Sequence, residues 1–123
     1  MNIRILNVDD SLSSREIIKD CLLKEGYEVE SVENGPKALN KLKTEKAFFD
    51  LFIIDYHMPE MDGISLTREI RSIQDYAETP ILMVTSEEDV SLKLKGAQSG
   101  VNGWVTKPFD PSKFISVVNQ MAS

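Results

Sequence analysis

The sequence predicts an α/β protein in which a doubly wound, five-stranded parallel sheet carries five helices on its two faces. Short apolar runs of strand length occur five times, and a stretch with apolar residues at helical spacing follows each of them. This alternation is typical of parallel sheets with right-handed crossover connections. The central run, residues 51–54, is apolar without alternation, as expected for a strand buried on both faces. The length of 123 residues suits a single domain of this kind.

Each of the five predicted strands has its own signal. The first, residues 3–8, is rich in β-branched residues, and the second, residues 27–32, alternates weakly between apolar and polar positions. The third and fourth, residues 51–54 and 81–84, are continuous apolar runs. The fifth, residues 103–105, is a short Gly-Trp-Val segment between polar stretches.

The predicted helices begin at recognisable start signals. Residues 13–16 have the form of a capping box before the first helix, residues 34–36 (Asn-Gly-Pro) start the second, and residues 110–111 (Asp-Pro) start the fifth. The fourth helix is the least secure, because Gly96 inside it costs about 1 kcal/mol relative to alanine, and we expect it to be mobile. The residues predicted for the inner faces of the helices are, in chain order, Ile17, Ile18, Cys21 and Leu22; Ala38, Leu39 and Leu42; Leu66, Ile70 and Ile73; Val90, Leu94 and Ala97; and Phe114, Ile115, Val118 and Met121.

Composition narrows the classes of function. The net charge of -6 argues against the basic surface that binding to nucleic acid or to an anionic membrane normally needs. The single cysteine, Cys21, excludes an internal disulfide framework, and its place in an apolar helical stripe predicts a buried, inert thiol. No apolar run is long enough to span a membrane and no signal peptide opens the chain, so we expect a cytoplasmic protein.

Polar residues that could bind a ligand or take part in a reaction follow four of the predicted strands. Asp9 and Asp10 follow the first strand, Asp55 the third, Thr85 the fourth and Lys107 the fifth. Doubly wound sheets of this size are known with the strand order 2-1-3-4-5, an order taken here from the fold class and not from the residues. In that order the carboxyl ends of these four strands lie side by side, so the sequence predicts a site at one rim of the sheet.

Three carboxylates at one rim repel one another unless a cation lies among them. A hard divalent ion such as Mg²⁺ takes oxygen ligands and commonly bridges carboxylates to a phosphoryl group. The ammonium of Lys107 and the hydroxyl of Thr85 are suited to hold the other oxygens of that group. Asp55 stands alone at the end of the middle strand, which makes it the candidate nucleophile for an aspartyl phosphate. For Asp9 and Asp10 a purely structural role, favourable with the dipole of the following helix, stays open on these grounds alone.

These residues also carry a family resemblance. The pair Asp9-Asp10, Asp55 with the segment 58–63 (Met-Pro-Glu-Met-Asp-Gly), Thr85-Ser86 and residues 107–109 (Lys-Pro-Phe) resemble the motif set of the response-regulator receiver domains of two-component signalling. The resemblance extends from about Ile3 to Met121, nearly the whole chain. It implies a flavodoxin-like fold with the strand order given above and one receiver domain over residues 1–123.

The resemblance also implies roles for individual residues. Asp55 would accept a phosphoryl group from a histidine kinase or a small phosphodonor. Mg²⁺ would be held by Asp10, Asp55 and the backbone carbonyl of His57, and by Asp9 through water. Lys107 would bind the phosphoryl oxygens, with a cis bond to Pro108. Thr85 would move toward the phosphoryl group, together with Trp104 at the position of the aromatic switch residue.

By the same resemblance the chain is a switch and not an enzyme, apart from its self-phosphorylation and slow autodephosphorylation. Its downstream partner would bind the face formed by the fourth helix, the fifth strand and the fifth helix, where Lys93 and Lys95 are expected. A role in chemotaxis or motor control is the favoured pathway. Met1 and the complete last helix favour a free-standing protein.

Several alternatives remain open from the sequence. The chain could be a phosphorelay intermediate or a receiver domain cut from a larger regulator. It could be a Mg²⁺-dependent phosphohydrolase with Asp55 as nucleophile, although such enzymes usually carry a second carboxylate two residues on, where this chain has His57. A flavodoxin-like ligand-binding domain is less favoured, because no glycine-rich loop follows the first strand. The side chain of His57 is expected to face solvent, where with Glu87 it could tune the access of water to the acyl phosphate.

Overall fold

The protein is described by a computed structural model covering residues 2–46 and 48–123. It has a five-stranded parallel sheet with the order β2-β1-β3-β4-β5, which confirms the predicted flavodoxin-like fold. The strands are β1 (Arg4–Val8), β2 (Glu28–Val32), β3 (Leu51–Ile54), β4 (Ile81–Thr85) and β5 (Gly103–Thr106). The helices are α1 (Leu12–Lys24), α2 (Gly35–Thr44), α3 (Gly63–Arg71), α4 (Val90–Ser99) and α5 (Pro111–Ala122), with a 3₁₀ turn at Gln74–Tyr76.

The central strand β3 is buried on both faces of the sheet. All four of its residues are buried, and they contribute alternately to two hydrophobic clusters on opposite faces of the sheet. Phe52 and Ile54 pack under α2 and α3, whereas Leu51 and Ile53 pack under α1 and α5. A strand covered on both faces has no solvent side, which is why its residues are apolar without alternation.

The register of the sheet brings the strand ends together. Val8 pairs with Ile54 between β1 and β3, and Ile54 pairs with Met83 between β3 and β4. The residues that follow, Asp9 and Asp55, therefore leave the sheet side by side at its carboxyl edge.

The start of the first helix differs from its prediction. The helix begins at Leu12 with Ser11 as its N-cap, and the Oγ atom of Ser11 accepts a hydrogen bond from the backbone N–H of Ser14. The predicted capping box over residues 13–16 is therefore wrong, since Ser13 and Ser14 already lie in the first turn. The hydroxyl of Ser14 donates instead to the carboxylate of Asp9, which precedes the helix.

The predicted inner face of α4 is also wrong. Val90 and Leu94 are 78% and 62% exposed, Ala97 is exposed as well, and Gly96 is the buried residue of the helix. A Cβ atom at Gly96 would lie 3.3 Å from Cζ3 of Trp104, so the glycine makes room for the indole ring. The inner face of α4 is formed by Leu92, which packs against the core, and by Gly96 one turn later, so the spacing of Val90 and Leu94 indicated the wrong face.

Two smaller predictions are also corrected. Ile17 is 55% exposed and does not belong to the inner face of α1. Cys21 is half-buried, not fully buried; its partial burial, and then the nearby charge of Asp20, raise the pKa of the thiol. A raised pKa lowers the thiolate fraction, in keeping with an unreactive thiol. Among the described residues, no helix is both long and apolar enough to cross a membrane.

Candidate functional site

Three carboxylates meet at the carboxyl ends of β1 and β3. Oxygen atoms of Asp9, Asp10 and Asp55 all lie within 4.8 Å of one another. Asp9 is 1% exposed and Asp55 is 8% exposed, whereas Asp10 is exposed to solvent. Such a concentration of negative charge is unfavourable without a cation, so the grouping predicted from the sequence exists and calls for one.

The carboxylate of Asp9 is held by the start of α1. The backbone N–H of Ser11 donates to its Oδ1 atom at 3.0 Å, and the hydroxyl of Ser14 donates to its Oδ2 atom at 2.7 Å. Arg15 donates to the main-chain carbonyl of Asp9 at 2.6 Å. Asp9 is thus committed to contacts within the protein, which leaves Asp10 and Asp55 as the better candidates for direct contact with a ligand.

These contacts of Asp9 were missed in the sequence. The signal was present, because an aspartate that accepts from the backbone N–H two residues on forms an Asx turn, and Asp9-Asp10-Ser11 allows one. The interpretation of residues 13–16 as a capping box concealed it.

Lys107 supplies the positive charge of the site. Its Nζ atom lies 2.7 Å from Oδ2 of Asp9 and 3.4 Å from Oδ2 of Asp55. The lysine directly follows β5, and its peptide bond to Pro108 is cis, as the resemblance implied. One ammonium therefore contacts two of the three carboxylates and lies where it could also meet an anion bound to Asp55.

Thr85 ends β4 at the same edge of the sheet. It is fully buried, and its main-chain carbonyl accepts a hydrogen bond from the N–H of Lys107 at 2.8 Å. Its Oγ1 atom is the acceptor of a long contact, 3.5 Å, from the backbone N–H of Glu87. Thr85 thus joins the end of β4 both to Lys107 and to the loop that leads into α4.

Trp104 lies on β5, and its side chain packs against α4. Its indole N–H donates to the main-chain carbonyl of Glu87 at 2.9 Å, and the ring is half-buried against Gly96. Nε2 of His57 lies 2.8 Å from a carboxylate oxygen of the same Glu87. The side chain of His57 is 60% exposed, which confirms the expectation that it faces solvent.

The loop after β3 presents Asp55 and turns directly into α3. The N–H of Gly63 donates to the carbonyl of Tyr56 at 2.9 Å, and Asp62 caps the helix by accepting from the N–H of Ser65 at 2.7 Å. A Cβ atom at Gly63 would lie 2.4 Å from the carbonyl oxygen of Asp55, a distance that real side chains do not reach. Only glycine therefore allows α3 to begin so close to the candidate nucleophile.

The donor set fits Mg²⁺. The ion prefers oxygen ligands in an octahedron and is commonly bound by one or two carboxylates with several waters. Asp10 and Asp55 offer such carboxylates at the rim, and an open depression beside them is lined by Tyr56, His57, Met58, Pro59 and Asp62. The site therefore has room for water molecules and for a phosphoryl group beside the ion.

Comparison with known proteins gives the family. A family model described as response regulator receiver domain matches residues 5–119. The chemotaxis protein CheY of Bacillus subtilis is 37% identical over 118 residues, which are 95% of this chain and 95% of that protein. The chemotaxis protein CheY1 of Helicobacter pylori is 39% identical over 109 residues, 88% of this chain and 87% of that protein.

The solved structure of the chemotaxis protein CheY4 of Vibrio cholerae has a TM-score of 0.92 and 37% identity, and the match covers 98% of this chain and 99% of that one. Proteins of this kind are generally signalling proteins and not enzymes, which leaves the phosphohydrolase alternative without support. The chain belongs to the response regulator receiver domain family and is a CheY-like member of it.

Proposed function

We propose that residues 1–123 act as one receiver domain that is phosphorylated on Asp55 in a Mg²⁺-dependent reaction, in the cytoplasm. The observation that carries the proposal is the convergence of the carboxylates of Asp9, Asp10 and Asp55 with the ammonium of Lys107 at one edge of the sheet. The phosphoryl donor is a histidine kinase, the partner that the family implies, or a small acyl phosphate.

The position of each group supports this chemistry. A carboxylate oxygen of Asp55 forms a bond to phosphorus while the bond from phosphorus to the donor nitrogen or oxygen breaks, which yields an acyl phosphate. Lys107, 3.4 Å from Asp55, is placed to pair with a phosphoryl oxygen. Asp10, Asp55 and the backbone carbonyl of His57 would hold Mg²⁺, and Asp9 would contact it through water. The bound ion supplies charge neutralisation between the carboxylates and the phosphoryl group.

Phosphorylation would act as a switch through Thr85 and α4. The new charge and acceptor oxygens at the rim favour a position of the Thr85 hydroxyl turned toward them, and the loop into α4 follows because Glu87 contacts that hydroxyl. Trp104 is attached to the same loop, so its seating changes with it.

The downstream partner would bind the face formed by α4, β5 and α5. On α4 the apolar side chains of Val90 and Leu94 are largely exposed, and Lys93 and Lys95 add positive charge beside them. Exposed apolar residues with neighbouring cations suit an acidic, amphipathic protein segment. Since the relatives are chemotaxis proteins, the partner is expected in a chemotaxis or motor-control pathway.

The test is the intact mass of the protein after brief incubation with a small acyl phosphate and Mg²⁺. One phosphoryl group is expected on the wild type, and none on Asp55→Asn or in the presence of a chelator. Asp75→Asn is the matched control, because Asp75 is an exposed aspartate on the 3₁₀ turn. An adduct on Asp55→Asn, or none on the folded wild type, would contradict the proposal.

A further inference from the structure

One residue of the loop between β4 and α4 contacts three other parts of the protein. The carboxylate of Glu87 lies 2.8 Å from Nε2 of His57, in the loop after the candidate nucleophile. Its main-chain carbonyl accepts from the indole of Trp104 at 2.9 Å, on β5. Its main-chain N–H points to Oγ1 of Thr85 at 3.5 Å, at the end of β4.

We propose that Glu87 is a positioning residue that couples His57, two residues after Asp55, to the seating of Trp104. The side chain of Glu87 is held by His57, and this contact holds its main-chain carbonyl in place as the acceptor for the indole. The signalling meaning of this link rests on the proposed function, whereas the link itself is a property of the unmodified protein.

The side-chain contact matters because the rest of the loop is weakly attached. Ser86 and Glu88, on either side of Glu87, are both exposed. Asp89 directs its carboxylate to the N-terminus of α4, where it accepts from the N–H groups of Ser91 and Leu92. Among the described contacts of the loop, those of Glu87 are therefore the ones that join it to the site and to β5.

Trp104 needs the carbonyl that Glu87 presents. A half-buried indole N–H requires an acceptor, because leaving a buried donor without a partner costs more than the hydrogen bond itself contributes. The opposite side of the ring rests on Gly96, where a Cβ atom would lie 3.3 Å from Cζ3. The ring is thus held between a glycine of α4 and a carbonyl whose position depends on His57.

This arrangement connects the site to the proposed partner face without a large movement. His57 belongs to the loop that follows Asp55, and its main-chain carbonyl is a proposed ligand for Mg²⁺. A shift of His57 changes the position of Glu87 through a single 2.8 Å contact, and Glu87 passes the change to Trp104 beside α4. His57 lies beside the phosphorylation site and Trp104 lies beside the proposed partner face, so the contact through Glu87 connects the two regions.

The test uses the fluorescence of Trp104, which is the only tryptophan in the chain. In His57→Ala and in Glu87→Ala, without a phosphodonor, we expect emission at longer wavelength. The quenching constant for acrylamide should rise about two- to fivefold, the change expected when the indole loses one neutral hydrogen bond. Glu88→Ala is the matched control, since it removes the same charge from the neighbouring, exposed position, and its emission should match the wild type.

Two further variants separate a coupling from a general disturbance. Glu87→Gln keeps an acceptor for His57 and should preserve the emission of the wild type. The double variant His57→Ala/Glu87→Ala should change the emission no more than either single variant, because the two substitutions remove the same contact between His57 and Glu87. Unchanged emission in the folded single variants, or additive effects in the double variant, would overturn the coupling.

The proposed function fails or stands by a different measurement. If the intact mass shows no phosphoryl group on the wild type, the fluorescence of the unmodified variants still decides whether Glu87 couples His57 to Trp104. If the wild type is phosphorylated and the fluorescence of His57→Ala and Glu87→Ala equals that of the wild type, the receiver chemistry holds and the coupling is wrong.

Discussion

Replacing Asp10 by asparagine should make the protein more stable in the absence of Mg²⁺. Asp10 is the exposed member of a cluster whose carboxylate oxygens lie within 4.8 Å of one another. The ammonium of Lys107 pairs with the other two members, at 2.7 Å from Asp9 and 3.4 Å from Asp55. The charge of Asp10 is therefore the one that the folded protein compensates least.

The size of the effect follows from Coulomb's law. Two unit charges at the 4.8 Å limit of the cluster repel by roughly 3–4 kcal/mol when the effective dielectric constant is about 20. Because Asp10 is exposed, water screens much of this repulsion, and we expect Asp10→Asn to raise the free energy of unfolding by about 1–2 kcal/mol.

Urea denaturation followed by circular dichroism measures the change, once with a chelator and once with Mg²⁺. Mg²⁺ binds the folded state and should stabilise the wild type more than Asp10→Asn, which reduces or reverses the difference between them. Glu69→Gln is the control, because Glu69 is exposed on α3 and its side chain makes no ion pair among the described residues. The reasoning is refuted if Asp10→Asn with chelator is no more stable than the wild type.

Three other substitutions test Glu60 and Gly63, which lie between β3 and α3 beside the site, and Arg71, which lies at the opposite edge of the sheet. Glu60 has a φ of 71°, so Glu60→Asn should raise the free energy of unfolding by about 0.5–1 kcal/mol in urea denaturation, and an unchanged midpoint would contradict this. Gly63→Ala places a methyl group 2.4 Å from the carbonyl oxygen of Asp55. It should lower the free energy of unfolding by about 1–3 kcal/mol and reduce the phosphorylation detected by intact mass. If both stay unchanged, the loop moves aside for the methyl group and the prediction is wrong. Arg71→Met removes donors to Tyr76, Thr79, Gly100 and Asn102 and should cost at least about 2 kcal/mol. Arg68→Ala, its control, loses one exposed bond to Ser99 and should stay within about 0.5 kcal/mol of the wild type in the same assay.

The fold was predictable because its signals are local and agree with one another. The apolar run of β3 and the caps at Asn34 and Asp110 each appear in the structure where the sequence indicates them. The grouping of the strand-end residues was predictable for a different reason. Once the strands are parallel and in the order 2-1-3-4-5, their carboxyl ends share one edge whatever the side chains do.

The contacts of α4 could not be predicted from the same signals. Apolar spacing suggested an inner face of Val90 and Leu94, and the glycine at position 96 was interpreted only as a loss of helix propensity. The structure shows that Leu92 and Gly96 form the inner face, with Leu92 against the core and the indole of Trp104 against Gly96. Sequence periodicity describes one helix at a time, whereas the space that Trp104 occupies is set by how α4 packs against β5.

The three carboxylates show how residues of one type come to differ. Asp9 is enclosed by the start of α1, which supplies hydrogen bonds from Ser11 and Ser14, and it is closest to Lys107. Each of these contacts stabilises its negative charge without help from a ligand. Asp10 makes no such contact among the described residues and lies in solvent, so its charge is the one left for a cation to balance. The cation requirement of the site therefore depends on Asp10 more than on Asp9, although the two are neighbours in the sequence.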